Sequence, residues 1–396
     1  MTIDESKATA RVRPGPPIQP GRRRKPRSRR RRLLRSVGLL FLVLLIPVAW
    51  SIGHALTAAG HDSTSARLAE WARGHHAGFI VNWAEQISYS LNPPKVGGTP
   101  PPTSPLVTGG APTVGTTHGR DVVPAAIQPI ASPALPGEGK WHILSTVHGQ
   151  PAILGAYLRP DAVHTSYTAG VVWMNPHLVR WELHPGVDVP GGSHWSAPPS
   201  LPASQRSGLL AAFNSGFVLG DSHGGFYLGG RTRGRLRDGA ASMVISRDGT
   251  ATVGAWGHDV SMNSNVVAVR QNLKLLVDNG RPVDGLATNA GNAWGATLGN
   301  KKLVWRSGVG VDAKGNVIFV AGNRLSAVSL AELFHRAGAV RAMELDINPY
   351  WTSYILYKAT SDPRHPDARN LLPDMQRSPH RYDSTSTRDF FAVYAR

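Results

Sequence analysis

Residues 303–322 read LVWRSGVGVDAKGNVIFVAG, followed by SLAELFHRAGA at 329–339 and MELDINP at 343–349. The first stretch is two β-rich runs around Asp312-Ala313-Lys314-Gly315, the pattern of a hairpin. The second changes period. Leu330, Leu333, Phe334 and Ala337 fall on one helical face, with Ser329 expected as N-cap and Gly338 as the C-terminal stop. The third returns to strand. Hairpin, helix and strand in this order predict an α+β domain.

Further strands lie upstream. AILGAYLRP (152–160) and TAGVVWMN (168–175) alternate as strands, and Asn175-Pro176 ends the second. MVISRDGTATVG (243–254) is a hairpin around Arg247-Asp248-Gly249, and LKLLVDNGRPV (273–283) turns at Asp278-Asn279-Gly280. The expected domain is therefore mostly strands and hairpins with one clear helix near the C-terminus, spanning residues 140–396. That length buries a core without disulfides, and the chain has no cysteine. Thiol catalysis, cysteine zinc sites and iron–sulfur clusters are excluded.

The chain carries a net charge of +18, with 13 Lys/Arg against two acidic residues in Met1–Arg35. A basic tail meets a polyanion, either nucleic acid or anionic lipid. The adjoining segment decides between them: VGLLFLVLLIPVAWSIGHALTAA (37–59) contains no Asp, Glu, Lys or Arg. About 20 apolar residues in helix span a bilayer core, and Pro47 can kink such a helix without breaking the span. The arginines immediately upstream place the tail in the cytoplasm by the positive-inside rule. The run is longer than a signal-peptide h-region of about 7–15 residues. Residues 1–35 are read as a disordered cytoplasmic tail and 36–59 as a single transmembrane signal-anchor, with no nucleic-acid partner. The C-terminal domain is then extracytoplasmic, at the cell membrane. Arginine outnumbers lysine 34 to 9, the composition of a GC-rich bacterial source.

Between span and domain, Leu68, Trp71, His75, Phe79, Trp83 and Ile87 recur at helical spacing, so 60–91 is expected to hold an amphipathic helix capped by Ser63 or Thr64. Residues 92–139, opening NPPKVGGTPPPTSP, read as a Pro/Gly-rich linker.

Four segments together resemble the phosphodiester glycosidase family. AAFNSGF (211–217) is similar to its Asn-Gly-Gly-Phe-Phe strand end, and LKLLVDNG to its strand ending in a Leu-x-x-x-Gly turn. WRSGVGVDAKGNVIFVAG resembles its Arg-Thr-Ala-Ile-Gly-x-Asp-x-Asp-Gly hairpin, and SLAELFHRAGAVRAMELD its closing helix and Asn-Leu-Asp strand. The family follows that aspartate with Gly-Gly-Gly-Ser, whereas Asp346 here is followed by Ile-Asn-Pro-Tyr-Trp; Ser215 also stands where the motif has its first glycine. The resemblance implies a hydrolase acting on a sugar phosphodiester or glycopolymer of the cell envelope. The replaced glycine run leaves open a binding module on the same fold.

Cleaving a sugar phosphodiester at the anomeric carbon expels a phosphate ester, a weak base. A fixed cation on the phosphate then matters more than a strong general acid, and the planar fork of arginine suits it. Arg306 is the candidate for that contact, with Gly308 leaving room beside it. A carboxylate must stabilise the oxocarbenium-like centre or activate water. Asp346 and Glu344, two apart on a strand, share a face and can split into acid and base. They can equally bind a divalent cation or pair with arginines; no organic cofactor is expected. Asn214 can orient a sugar hydroxyl or acetamido group, or shape its own turn. Gly216 and Phe217 continue that motif as substrate-binding candidates, as does Asp278 in its turn. His223, flanked by glycines, is a candidate general acid. No dinucleotide-binding, Walker or nucleophile-elbow motif accompanies them.

Overall fold

The computed structural model describes Gly15 and residues 29–57, 63–75, 92–108, 123–295 and 302–396, together with positions 77, 78, 80, 81, 84, 87 and 91. The rest of the basic tail, Phe79, Trp83 and residues 109–122 of the Pro/Gly-rich stretch lie outside the described residues. The chain divides into two compact units, Met1–His54 and Ala55–Arg396.

Helix α1, Arg29–Thr57, contains a 22-residue stretch, Ser36–Thr57, long and apolar enough to cross a membrane. Leu39, Leu42, Ile46 and Trp50 are exposed on it.

The second unit is built on three antiparallel sheets. The largest has eight strands in the order His142–Val147, Gln150–Leu158, Ala169–Met174, Val317–Leu325, Val304–Asp312, Ala339–Ile347, Leu275–Asp278, Arg281–Pro282. A five-stranded sheet runs Arg231–Arg233, Phe226–Leu228, Val266–Gln271, Ala241–Ser246, Ala251–Ala255. Another runs Asp367–Asn370, Tyr354–Lys358, Leu209–Asn214, Phe390–Ala395, Val179–His184. The hairpins read from sequence all form. Their turns carry the positive φ that asparagine and glycine supply, at Asn279 (φ 49°), Gly280 (φ 73°) and Gly315 (φ 80°).

Both faces of the eight-stranded sheet are covered, which explains why its central strands are apolar at successive positions rather than alternating. One face joins the other two sheets in a core where Phe213 packs on Phe319, Tyr354 and Phe391, with ring centroids 5.1, 5.7 and 5.3 Å apart. The other face lies under Leu330, Leu333 and Phe334 of helix α2, Ala327–Arg336. This helix begins earlier than expected. Ser326, extended at φ −92° and ψ 167°, is the cap, and Ser329 closes a capping box at the third position instead. The reason is reciprocal bonding: the Ser326 hydroxyl accepts from Ser329 N at 3.0 Å, and Ser326 N donates to Ser329 Oγ at 2.8 Å. Gly338 follows the helix at φ 85°.

The stretches before the first strand are laid against this unit. The helix Thr64–Gly74 is capped by Ser63, and its Ala69 and Ala72 are buried with Val81 in a small cluster that includes Tyr350. Its Glu70 accepts from Arg377 at 3.0 Å and from Thr387 at 2.9 Å. In the Pro/Gly-rich stretch, Gly97 N donates to Val163 O at 2.7 Å, and Ser104 bonds Thr168 at 2.8 Å.

Candidate active site

One end of the eight-stranded sheet gathers most of the residues singled out by sequence. Strand Ala339–Ile347 carries Glu344 and Asp346, and its neighbour Val304–Asp312 carries Arg306 and Ser307. Between them the register shifts: Arg306 lies opposite Ile347 but Gly308 opposite Glu344. One residue, Ser307, facing two, Leu345 and Asp346, is a bulge. It breaks strict alternation where the acidic residues stand, and each finds its own arginine.

Glu344 is fully buried and its Oε1 receives Arg306 Nη1. Arg306 also donates from Nε to Leu325 O at 3.1 Å and from Nη1 to Trp294 O at 3.2 Å. Glu344 Oε2 has no hydrogen-bond partner among the described residues. Burial pushes this carboxyl up to about 7, against the pull of the Arg306 charge, and the nearby Asp346 charge adds to the rise. Asp346 pairs instead with Arg388, at 3.5 Å, and its Oδ1 accepts Ile347 N at 2.9 Å. The Arg388 guanidinium lies 4.4 Å from the ring centre of Trp351. The two carboxylates thus have separate cations, Arg306 at Glu344 and Arg388 at Asp346.

Asn214 is present at the same end but spends every polar atom on the scaffold. Its Nδ2 donates to Ser215 O and Ser307 Oγ, both at 3.0 Å, and its Oδ1 accepts Ser353 N at 3.0 Å. Ser307 Oγ lies 2.8 Å from Asp346 O, and Asp346 N donates to Ser215 O at 2.9 Å. Asn214 is thus a clamp between three strands and has nothing left for a sugar. Gly216 is needed for close approach: a Cβ there would meet the Asn272 side chain at 2.9 Å. Asn272 in turn accepts Phe217 N at 3.2 Å and donates to Glu344 O at 2.8 Å. The Phe217 ring packs with Leu273 and Ile347.

Three candidates, Gly308 opposite Glu344 and the more distant Asp278 and His223, stand outside this network of side-chain bonds. Gly308 is buried under helix α2, where a Cβ would meet Phe334 at 2.7 Å, so it makes room for packing and not for a ligand. Asp278 sits in its hairpin and forms an ion pair with Arg341, 3.0 Å between Oδ1 and Nε. His223 is exposed in left-handed backbone, φ 51°, after the short turn Leu219–Ser222.

Sequence reasoning passed over Arg388, Asn272 and the fully buried pair Arg270–Asp389, whose Nε and Oδ2 lie 2.6 Å apart. Arg270 also donates to Phe217 O. No local pattern marks these residues; their partners are far away in the chain. Two cavities flank the site. One, of 430 Å³, is lined by Arg306, Lys302, Thr288, Asn289, Asn292 and Ser326 among others. The other, of 580 Å³, includes Arg388, Trp351, Arg233, Asp188 and Glu70. Among the described residues no three His, Asp or Glu side chains form a metal-binding group.

The segment after Asp346, which replaces the family's glycine run, retains one of its properties. Asn348 takes φ 94° and donates from its backbone to Trp305 O at 2.8 Å.

Residues 207–346 match the phosphodiester glycosidase family. No curated protein sequence matches the chain. Among solved structures, it is similar to the zebrafish N-acetylglucosamine-1-phosphodiester alpha-N-acetylglucosaminidase catalytic domain auto-inhibited by its pro-peptide, at 16% identity and TM-score 0.42, covering 65% of this chain and 88% of that one. It is also similar to a hypothetical protein from Synechocystis, at 14% identity and TM-score 0.37, covering 67% and 65% respectively.

Proposed function

We propose that this phosphodiester-glycosidase-like domain is a hydrolase of sugar phosphodiesters, held by α1 in the membrane with its basic tail in the cytoplasm and the domain on the far side. The observation that carries the reading is Glu344. It is a wholly buried carboxyl with one oxygen bound by Arg306 and the other unpartnered among the described residues, inside the stretch that matches the family. A carboxyl that changes charge near pH 7 suits proton transfer at neutral pH. Asp346, two residues on and paired with Arg388, supplies a second carboxylate for the oxocarbenium-like centre. Arg306 supplies the cation on the departing phosphate ester. The substrate is a sugar phosphodiester of the cell envelope, the material available to a domain on that side.

A second reading is favoured by the burial of the site: Glu344 is 0% and Asp346 4% exposed, and Trp351 lies buried beneath Arg388. In that reading the domain binds an envelope glycopolymer without cleaving it. Turnover of a synthetic sugar-1-phosphodiester by the detergent-solubilised full chain decides between them. Glu344→Gln and Asp346→Asn are expected each to lower turnover by about 100-fold or more. Absence of turnover in the wild type, with binding that both substitutions weaken, selects the binding module. Full turnover in both variants removes the site.

A further inference from the structure

The segment that replaces the family's glycine run, residues 347–351, ends in two aromatic side chains that the carboxylate chemistry does not use. Tyr350 packs against the helix Thr64–Gly74, in the cluster that holds Ala69, Trp71, Ala72 and Val81. The buried Trp351 ring has two guanidinium groups on it, Arg388 at 4.4 Å and Arg377 at 5.7 Å from its centre. A tryptophan face attracts cations through its quadrupole, so the ring gathers both arginines.

The same helix reaches these arginines by hydrogen bonds. One oxygen, Glu70 Oε1, accepts Arg377 Nη2 at 3.0 Å and the Thr387 hydroxyl at 2.9 Å. Thr387 immediately precedes Arg388, whose Nη1 lies 3.5 Å from Asp346 Oδ2. Two routes therefore run from Glu70 toward Asp346, one through Arg377 and the Trp351 ring, the other through the backbone of Thr387. Both end on Arg388. The Glu70 charge also offsets the repulsion between two arginines that share a ring. The helix shapes space as well: Glu70 and Gly74 line the 580 Å³ cavity together with Trp351 and Arg388. Apart from Asp346, the last residue of the matched stretch, none of these residues lies in 207–346.

We infer that the helix Thr64–Gly74 is a working part of the active site and that Glu70 is a positioning residue, holding Arg388 against Asp346. The value of that position for catalysis rests on the hydrolase reading above; the bracing of Arg388 does not. Arginine has a long side chain with many rotamers, and a carboxylate paired with a loose one is itself loosely oriented. Fixing the guanidinium from the far side gives Asp346 one orientation toward the reacting centre. The replaced glycine run then has a purpose in this chain: Tyr350 and Trp351 form the surface on which the helix is seated.

The test combines hydrogen–deuterium exchange with steady-state kinetics on the full chain in detergent, using a synthetic sugar-1-phosphodiester. Glu70→Ala is expected to speed amide exchange about fivefold in residues 347–352 and 385–389 and to leave the hairpin at 303–322 unchanged. A general loss of stability would raise exchange in the hairpin too. The kcat should fall about tenfold with KM within about twofold of the wild type. Glu70→Gln keeps an acceptor oxygen and should recover most of that loss. In an Arg388→Gln background, Glu70→Ala should lower kcat no further, because the group it acts through is already gone. An undiminished effect in that background overturns the inference, as does unchanged exchange at 385–389. Turnover that rises in Glu70→Ala also overturns it and makes the helix a cover instead. Faster local exchange with no turnover by the wild type keeps the bracing of Arg388 and removes the hydrolase reading.

Discussion

Two buried arginine–glutamate pairs in this domain use the same chemistry to opposite ends. In Arg159–Glu138 every carboxylate lone pair that matters is occupied. Oε1 accepts Arg159 N at 2.9 Å and Nε at 3.1 Å, while Oε2 accepts Leu135 N at 3.0 Å and Arg159 Nη2 at 2.7 Å. Arg159 Nη2 continues to Ala131 O at 3.0 Å and Pro133 O at 2.6 Å. The pair fastens the stretch before the first strand to the strand end at Arg159. In Arg306–Glu344 one carboxylate oxygen, Oε2, is left over among the described residues. Satisfaction, more than burial, separates a rivet from a reactive pair.

The acid ionisation of the two glutamates follows the same division. Burial raises both, but the bonds from Arg159 and the Leu135 and Arg159 amides outweigh it and hold Glu138 below the usual range. For Glu344 burial wins. If this contrast is right, the largest effect comes from breaking the closed pair. Arg159→Met leaves Glu138 charged and buried, and should cost about 3–5 kcal/mol in denaturant unfolding of the solubilised chain. Glu344→Gln should cost less than about 1 kcal/mol, because it removes a charge already disfavoured. Equal costs would show that the two pairs are the same device.

The pH dependence should diverge in sign. Glu344 is raised above its unfolded value of 4.5 to about 7, so the folded state keeps a proton that the unfolded chain releases. Its stability contribution is present below about 4.5 and is lost as pH rises to about 7, by roughly 3 kcal/mol at most. Glu138, lowered, contributes above its unfolded value and loses that contribution as pH falls through its folded one. Melting temperatures from pH 4 to 8 should therefore flatten on the neutral side in Glu344→Gln and on the acid side in Glu138→Gln. A Glu344→Gln curve parallel to the wild type would place its ionisation outside the window.

Much of this comparison was legible beforehand, and the reason for what was missed is physical. Turn chemistry at Asn279-Gly280 and Asp312–Gly315 is local, so the hairpins and the strand bearing Glu344 and Asp346 could be read directly. The position of Arg306 at the end of the same sheet came with them. Its partner did not, because a bulge is a matter of register between strands and leaves no mark in either one. Arg388 and Asp389 lie in the loop before Phe390–Ala395 and Arg270 on a strand of another sheet, and Arg159 reaches back 21 residues to Glu138. In the sequence these look like ordinary surface charges. The misplaced cap at Ser329 has the opposite origin. Two serines three apart both suit a helix start, and only the reciprocal bonding shows which is outermost.

The contrast between satisfied and unsatisfied groups recurs at a smaller scale in two buried serines of the site, and there it can be sharpened most finely. Ser307 Oγ lies 2.8 Å from Asp346 O and accepts Asn214 Nδ2 at 3.0 Å, so it holds the strand of Asp346 to the clamp. Ser215 Oγ, 1% exposed by residue and also buried, has no hydrogen-bond partner among the described residues. Ser307→Ala strands a carbonyl and an amide, and should destabilise by about 1–2 kcal/mol. Ser215→Ala removes a hydroxyl that gains nothing from burial and should change stability by less than about 0.5 kcal/mol, in either direction. The family motif has glycine at this place, so the hydroxyl is not required by the fold. If Ser215→Ala instead proves as costly as Ser307→Ala, the hydroxyl has a structural partner and the division drawn from the glutamate pairs does not extend to it. If stability is unchanged while the Michaelis constant for a sugar phosphodiester rises and turnover does not, the unsatisfied hydroxyl belongs with Glu344 Oε2 as a group reserved for the ligand.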